Sequence, residues 1–564
     1  MIRRFTGIAV ALSAAACSSI PDAEIDEQVA TTTAALSGIA QINVDARGMS
    51  HVKAQDEETG YAGLCYAMAR DRLFQMDALR RSAQGRLAEI YGPGDGGANV
   101  DNDIFARSQN LPAFAAARYS AAAPRTKTLL SACASGVNQY IADAKAGAGL
   151  PLEFQTLNYE PEPWTPQDSV LAYMYVGVTF DTLTWFTKLE RAAVAAIAGA
   201  DVSRTLIKEA PNDLSMFDAQ GNLNPIQQYL VPPGTSSPQA TVIALNPPRW
   251  PASPRMPAQQ ILRFAPSAGR ASNAWAVDGH LTSTGKPLLA TDPHFPHATP
   301  SAVWVAHLKV VGQYSVMGWM MPGFPGFVSG HTEHIAWVPT YTLYDNVDLY
   351  VEELRPSCNG GEEVLINGQW QPVTTRVETF HVLGQPDVVR TFRSTAHGPI
   401  LNDGLDGLDA FGTLALKSTA GQPEWKVDGF FDIPAATNWS QFKAAAVRQS
   451  IGWNFIFADY EGTHGHIGYQ NSGLAPQRES PDNALYPVPG SGGHEWTGYA
   501  LAAELPSVYD PPSHVLVTAN NRMVPQNYAP LGRPIHLANY WDMPWRAQRI
   551  TTRLMTAGHP LTPA

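Results

Sequence analysis

Ser272 is the residue on which a chemical reading of this sequence turns, because of what stands on either side of it. Before it lies a stretch holding Pro232, Pro233, Pro238, Pro247, Pro248, Pro251, Pro254, Pro257 and Pro266. So much proline cannot continue a helix or an inner strand, and the stretch reads as an exposed connector. After it comes Asn273-Ala274-Trp275-Ala276-Val277, in which Trp275 and Val277 alternate with small residues as a strand requires. A backbone cut between Ala271 and Ser272 would leave the serine a free α-amine, a group that titrates at about 7.7–8.0. One residue would then carry both an attacking oxygen and a base to deprotonate it near neutral pH. On pattern alone, a serine that simply opens a strand accounts for the same residues.

Other catalytic patterns do not compete with it. Gly490-Ser491-Gly492 lacks the Gly-x-Ser-x-Gly spacing of a nucleophile elbow, and there is no phosphate loop and no strand-linked Gly-x-Gly-x-x-Gly. His331 with His334, and His464 with His466, lack the His-Glu-x-x-His zinc pattern and read as turn or hairpin residues.

The elements that must position Ser272 fall into two parts. Residues 60 to 200 read as mainly helical. Leu73, Met76, Leu79, Ala83, Leu87 and Ile90 trace one helical stripe, with Arg72, Arg80, Arg81 and Arg86 off it and Gly92-Pro93 closing it. Ser169 to Ala200, rich in aromatic residues and then alanine, reads as a buried helix pair. Beyond the connector, residues 272 to 525 become strand-like, with runs at 302–308, 334–337 and 388–393 separated by turn residues.

Several segments then carry a family resemblance. Ser272 through Asp292-Pro293-His294-Phe295-Pro296 is similar to the start of the mature β-chain of the penicillin acylase family, N-terminal nucleophile hydrolases made as one self-cleaving precursor. Tyr66-Ala67-Met68-Ala69-Arg70-Asp71-Arg72-Leu73-Phe74-Gln75-Met76, running on to Gly85-Arg86-Leu87-Ala88-Glu89, resembles that family's α-chain signature. Further similar segments are His334 to Trp337, Asp345-Asn346-Val347-Asp348, Asn454-Phe455, Ala519-Asn520-Asn521-Arg522 and Arg546 to Ile550. The likeness is closest to the acyl-homoserine lactone and aculeacin acylase branch, because His294 stands where the penicillin G branch has Gln.

The resemblance implies an α+β protein with the four-layer αββα fold, and it implies roles residue by residue. Ser272 is the nucleophile. His294 hydrogen-bonds near the serine and its amine. The backbone N–H of Tyr341 and the side-chain amide of Asn520, with Asn521 as the neighbouring alternative, meet the oxyanion. Arg546 organises the site electrostatically. Phe295, Met320, Phe324, Phe327 and Trp453 lie in segments that approach the acyl pocket. Glu190, Asp345, Val347 through its carbonyl, and Asp348 resemble the oxygen ligands of a structural calcium ion; the chemistry itself needs no cofactor. The activity implied is hydrolysis of an N-acyl amide through an acyl-enzyme on Ser272. Its substrate is a small molecule with a medium or long acyl chain, such as an N-acyl-homoserine lactone or a lipopeptide. The alternatives are a penicillin or cephalosporin acylase and, in another class, a truncated non-catalytic binding relative. The family continues beyond the segment at 546–550, so the chain is expected to be a fragment or a shortened member.

The organisation expected is a signal peptide at 1–17, a tether at 18–38, a helical α-chain region at 39–230, a spacer at 231–271 and a β-chain at 272–564, the two chains associating as a heterodimer. Arg3 and Arg4, the apolar stretch from Phe5 to Ala16 and the small residues before Cys17 have the order of a secretory signal, and Cys17 doubles as a lipid-attachment candidate. The protein is therefore expected in the periplasm or secreted. No later stretch holds 18 uninterrupted apolar residues, so no membrane span is expected. A formal net charge of −12 argues against nucleic acid as a partner. Of the four cysteines, Cys65, Cys133 and Cys358 would remain after processing, with the pairing open.

Overall fold

A computed structural model of the protein describes residues 30–35, 39–198, 214–225 and 271–564, apart from 296–297, 359, 480–484, 539, 559 and 564. The signal-peptide segment at 1–17 and nearly all of the spacer expected at 231–271 lie outside the described residues. Residues 30–35, within the stretch read as a tether, form a strand.

Strands β1 (Ala30–Ala35), β2 (Ile39–Val44) and β3 (Ser50–Ala54) lead into helix α1 (Glu57–Gln84), capped by the Asp56 carboxylate at its start and by left-handed Gly85 at its end. The stripe read as continuous to Ile90 therefore breaks at Gly85. Arg80 and Arg81, placed off the stripe by sequence, are buried and held by Asp77, with Asp168 against Arg80 and Glu89 against Arg81. Helices α2 (Pro124–Asp143) and α3 (Pro166–Ala198) follow. The expected helix pair at 169–200 is thus one long helix over Pro166–Ala198: Gly177, inside its apolar run, stays helical and gives room for the Ile451 side chain. Cys65 of α1 is bridged to Cys133 of α2, with Cα atoms 5.0 Å apart, and among the described residues Cys358 has no disulfide partner.

The strands that matter for the site are β4 (Ala271–Val277), β5 (Leu288–His294), β6 (Trp304–Val310), β7 (Tyr314–Met320), β8 (Ser329–His331), β9 (Ile335–Tyr341), β10 (Val347–Glu352), β11 (Thr413–Ser418), β12 (Trp453–Asp459), β13 (His466–Ser472), β14 (Ser507–Tyr509) and β15 (Val515–Thr518). Helix α4 (Trp545–Thr556) comes last. A ten-stranded sheet runs β1-β2-β3-β6-β7-β8-β9-β12-β13-β14, and a separate three-stranded sheet runs β15-β4-β5.

Period-two alternation explains how the sheets pack. On β12, Trp453, Phe455 and Phe457 join the core shared with α1, α2 and α3, whereas Ile456 and Ala458 face a second core with Ala274 and Ala276 of β4. The other face of β4 offers Trp275 and Val277 to Val515, Val517 and, on α4, Ala547 and Leu554. Both faces of β12 and β4 are therefore covered, which is why β12 is buried throughout. No helix among the described residues is long and apolar enough to cross a membrane.

Candidate active site

Ser272 sits at the start of β4, where the strand leaves the undescribed segment. Antiparallel pairing sets Ser272 opposite Pro293 and Ala271 opposite His294. With residues 271 and 272 joined, the Ser272 amide donates to Asn520 Oδ1 at 2.7 Å, and Asn520 Nδ2 donates to the Tyr341 carbonyl at 2.8 Å. Asn520 follows β15, the other neighbour of β4, and has φ 59°, a left-handed geometry that Asn tolerates. This turn carries its amide to the serine. Asn521, the alternative partner, instead accepts the Ala519 N–H with its own side chain.

Arg546, in the first turn of α4, ties these segments together. One guanidinium nitrogen donates to the Ser272 carbonyl and to Asn273 Oδ1 (2.7 Å). The other reaches the Ala519 carbonyl (2.6 Å), Asn520 Oδ1 (2.9 Å) and Asp542 Oδ2 (2.7 Å). Burial raises the Asp542 carboxyl above its ordinary range despite the guanidinium beside it.

His294 behaves differently from the expectation. Its imidazole contacts Asp292 Oδ2 at 2.9 Å and Asn273 at 3.2 Å, not the serine. The register gives the reason: positions 271, 273, 292 and 294 share one face of the β4–β5 pair, and Ser272 points to the other. The Asp292 carboxyl is held below its ordinary range first by His294 and also by Asn273.

A cavity of ≈ 40 Å³ opens beside the serine, lined by Ser272, His294, Asn520 and a wall of Phe180, Phe295, Trp319, Tyr341 and Trp453. Met320, Phe324 and Phe327, expected there, lie fully buried in the helix-side core instead, Phe324 stacked on Tyr173. Met320 and Trp319 are neighbours on β7 and face opposite ways, so Trp319 reaches the cavity and Met320 cannot. Tyr341 also donates its hydroxyl to Asp181 on α3 at 3.2 Å. Burial pushes the Asp181 carboxyl up to about 7, against hydrogen bonds from Asn346 and Tyr341. Asp181, Phe180, Trp319, Asn273 and Asp542 were not singled out from sequence. Only the strand-parity argument, with the register known, would have found Trp319 and Asn273. A larger cavity of ≈ 530 Å³ near Trp185 and Asp403 is lined by carboxylates, amides and Arg390, without Ser, Thr, Cys, Lys or His, so it offers no such nucleophile.

The calcium ligands expected at Glu190, Asp345, Val347 and Asp348 are corrected by a lysine. Lys188 Nζ lies 2.8 Å from Asp345 Oδ1, 2.6 Å from Asp348 Oδ1 and 2.7 Å from the Val347 carbonyl, while Glu190 is exposed. Arg478 adds a second cation on Asp348 at 2.7 Å. Burial opposes both carboxylates' charge, yet the Lys188 and Arg478 cations hold both below the usual carboxylate range. Two carboxylates already balanced by two buried cations leave no place for a calcium ion, whose added charge would stand uncompensated in a dry core. These residues therefore do not fit the metal.

Residues 39–564 match the family model described as penicillin amidase. Acyl-homoserine lactone acylase QuiP of Pseudomonas aeruginosa is 32% identical over 555 residues, covering 96% of this chain and 61% of that protein. Penicillin acylase 2 proenzyme of Pseudomonas sp. (strain SE83) is 30% identical over 538 residues, covering 93% of this chain and 63% of that protein. Among solved structures, a thermostable penicillin G acylase from Alcaligenes faecalis is 27% identical with a TM-score of 0.40, covering 48% of this chain and 46% of that one. The chain thus spans about three-fifths of the length of these curated relatives.

Proposed function

The chain belongs to the penicillin amidase family, and from that premise we propose that it is an exported, self-processing acylase that hydrolyses N-acyl amides from Ser272. The observation that carries the reading is the hydrogen bond from the Ser272 nitrogen to Asn520 Oδ1, beside a cavity and at the end of a proline-dense connector. A hydrogen bond that holds this nitrogen as an amide would hold it as an amine once the 271–272 bond is cut.

In the mature enzyme the α-amine, directly or through a water, takes the Oγ proton as Oγ attacks the substrate carbonyl. The tetrahedral oxyanion is met by the Tyr341 N–H and the Asn520 amide, each such donor contributing about 3 kcal/mol. Collapse releases the amine with the proton, leaving an ester on Oγ. Water, deprotonated by the same α-amine, then releases the acid. Arg546 positions this machinery by holding the Ser272 carbonyl and Asn520, and its positive charge favours the unprotonated amine. His294 acts on the serine only by fixing Asn273. The chemistry needs no cofactor. The fold proposed is the four-layer αββα arrangement of N-terminal nucleophile hydrolases, with α- and β-chains as a heterodimer in the periplasm or secreted.

The substrate proposed is a small N-acyl compound with a medium or long acyl chain, such as an N-acyl-homoserine lactone. A second reading, a compact acyl group of the penicillin type, is favoured by the small volume and aromatic wall beside the serine. Denaturing gels and N-terminal sequencing test the mechanism. Wild type should yield a chain beginning at Ser272, and Ser272→Ala should stay whole; an active wild type with 271 and 272 still joined overturns it. Release of acid from acyl-homoserine lactones of graded length, set against phenylacetyl and β-lactam substrates, decides between the two acyl classes.

A further inference from the structure

The strand pair that carries Ser272 and Asn520 at one end carries a second cluster at its other end. β4 finishes at Val277, opposite Val515 of β15, and Asp278 and His514 follow directly on each side of that pair. Three turns meet there. The Asp278 N–H donates to the His514 carbonyl and the Gly279 N–H to the His464 carbonyl, at 3.2 and 2.8 Å. Gly279 permits the meeting, since a Cβ on it would lie 2.1 Å from the Gly285 carbonyl oxygen and 2.5 Å from that of His464.

Asp278 is almost fully buried, and it turns one carboxylate oxygen to each of two imidazoles. Oδ1 is 3.1 Å from His280 Nδ1 and Oδ2 is 2.7 Å from His514 Nδ1. The ligand atoms of Asp278, His280 and His514 all lie within 4.8 Å of one another. His464 stacks on His280 with ring centroids 3.9 Å apart, and its buried Nδ1 has no hydrogen-bond partner among the described residues. His280 is packed between His464 and His514, whose centroid is 4.3 Å away. This stack fixes the direction in which its Nδ1 points.

We propose that Asp278, His280 and His514 form a binding site for a divalent transition metal of the zinc class. Two imidazole nitrogens and one carboxylate oxygen are the donor set such borderline cations take, and it is unsuited to calcium or magnesium, which prefer oxygen alone. Three protein ligands leave a position for water, which the half-exposed His280 and His514 keep open. A cation here would replace the protons that otherwise bridge the carboxylate to both rings. It would also pin β4 to β15 some six residues, about 20 Å, from the serine. Its role is to brace the strand pair, outside the chemistry.

The test is calorimetric titration of the full-length, EDTA-treated protein with Zn²⁺, alongside Co²⁺ absorption and thermal melts. Wild type should bind one Zn²⁺ per chain at this site, melt several degrees higher when saturated, and give a visible Co²⁺ band. The His280→Gln/His514→Gln double variant should lose that equivalent, the band and the melting shift. His464→Ala, which removes the stacking ring but no ligand, should keep all three. Should the double variant fold poorly, the single His514→Gln, weakening Zn²⁺ binding at least tenfold, gives the same reading. Wild-type protein that takes up no Zn²⁺, unchanged uptake in the histidine variants, or equal loss in His464→Ala would overturn the proposal.

Discussion

Arg546 and Lys188 each bind together segments far apart in sequence, and each does so through main-chain carbonyls and carboxylates. Arg546 keeps 28% of its side chain in solvent, shares its donors among five acceptors and lies against a serine beside an open cavity. Lys188 is 1% exposed, and its charge is matched within a sealed group of Asp345, Asp348 and Arg478. The difference shows what an open electrostatic site needs. At Ser272 the cation holds polar groups in place without using them up, while at Lys188 every charge is spent on its neighbours and stability is the only outcome.

The sharpest way to break the comparison is to unbalance the sealed group. Lys188→Met should cost about 3–5 kcal/mol in chemical denaturation, because two buried carboxylates are left with one cation. Chelators such as EGTA should not affect wild-type stability at this group; a calcium-dependent melting point that Lys188→Met abolishes would reverse the assignment. At the open site, Asn520→Ala should lower kcat about 10²- to 10³-fold with the fold intact, and a loss under about tenfold would remove Asn520 from the oxyanion role.

A pH test is of comparable size. Asp181 has a folded-state pKa raised to about 7, so its contribution is fully present below its unfolded value and is lost as pH rises through about 7. Asp181→Asn should therefore gain stability over wild type as pH climbs from 4 to 8, by roughly 4 kcal/mol at the top. Equal curves would mean the carboxylate is better solvated than its burial implies. The smallest effect expected is from Phe180→Ala, which widens the aromatic wall and should shift preference toward longer acyl chains by roughly tenfold in kcat/KM.

Much of this was legible from residue order. The connector marked Ser272, the alternation of Trp275 and Val277 foretold a strand, and Asn520, Arg546, Phe295 and Trp453 do gather around the serine. What failed did so for identifiable reasons. The resemblance places the segment holding Met320 near the acyl pocket, but a segment does not state which strand face looks into a cavity, and the residue that does is Trp319. The resemblance implies a His294 hydrogen bond near the serine, yet register turns its imidazole to Asn273 and Asp292. Asp345 and Asp348 look the same in sequence whether a metal or an ammonium lies between them, and Lys188 is supplied by a helix more than 150 residues away.

The Arg546 tether has a further consequence for timing. The guanidinium that grips the Ser272 carbonyl is 274 positions later in the chain, and the Asn520 amide is 248 later. During synthesis the serine emerges from the ribosome long before either partner exists. If the 271–272 bond is cut as proposed, the junction is unarmed on any chain that has not yet reached Arg546, and the order of synthesis itself would guard against premature self-cutting.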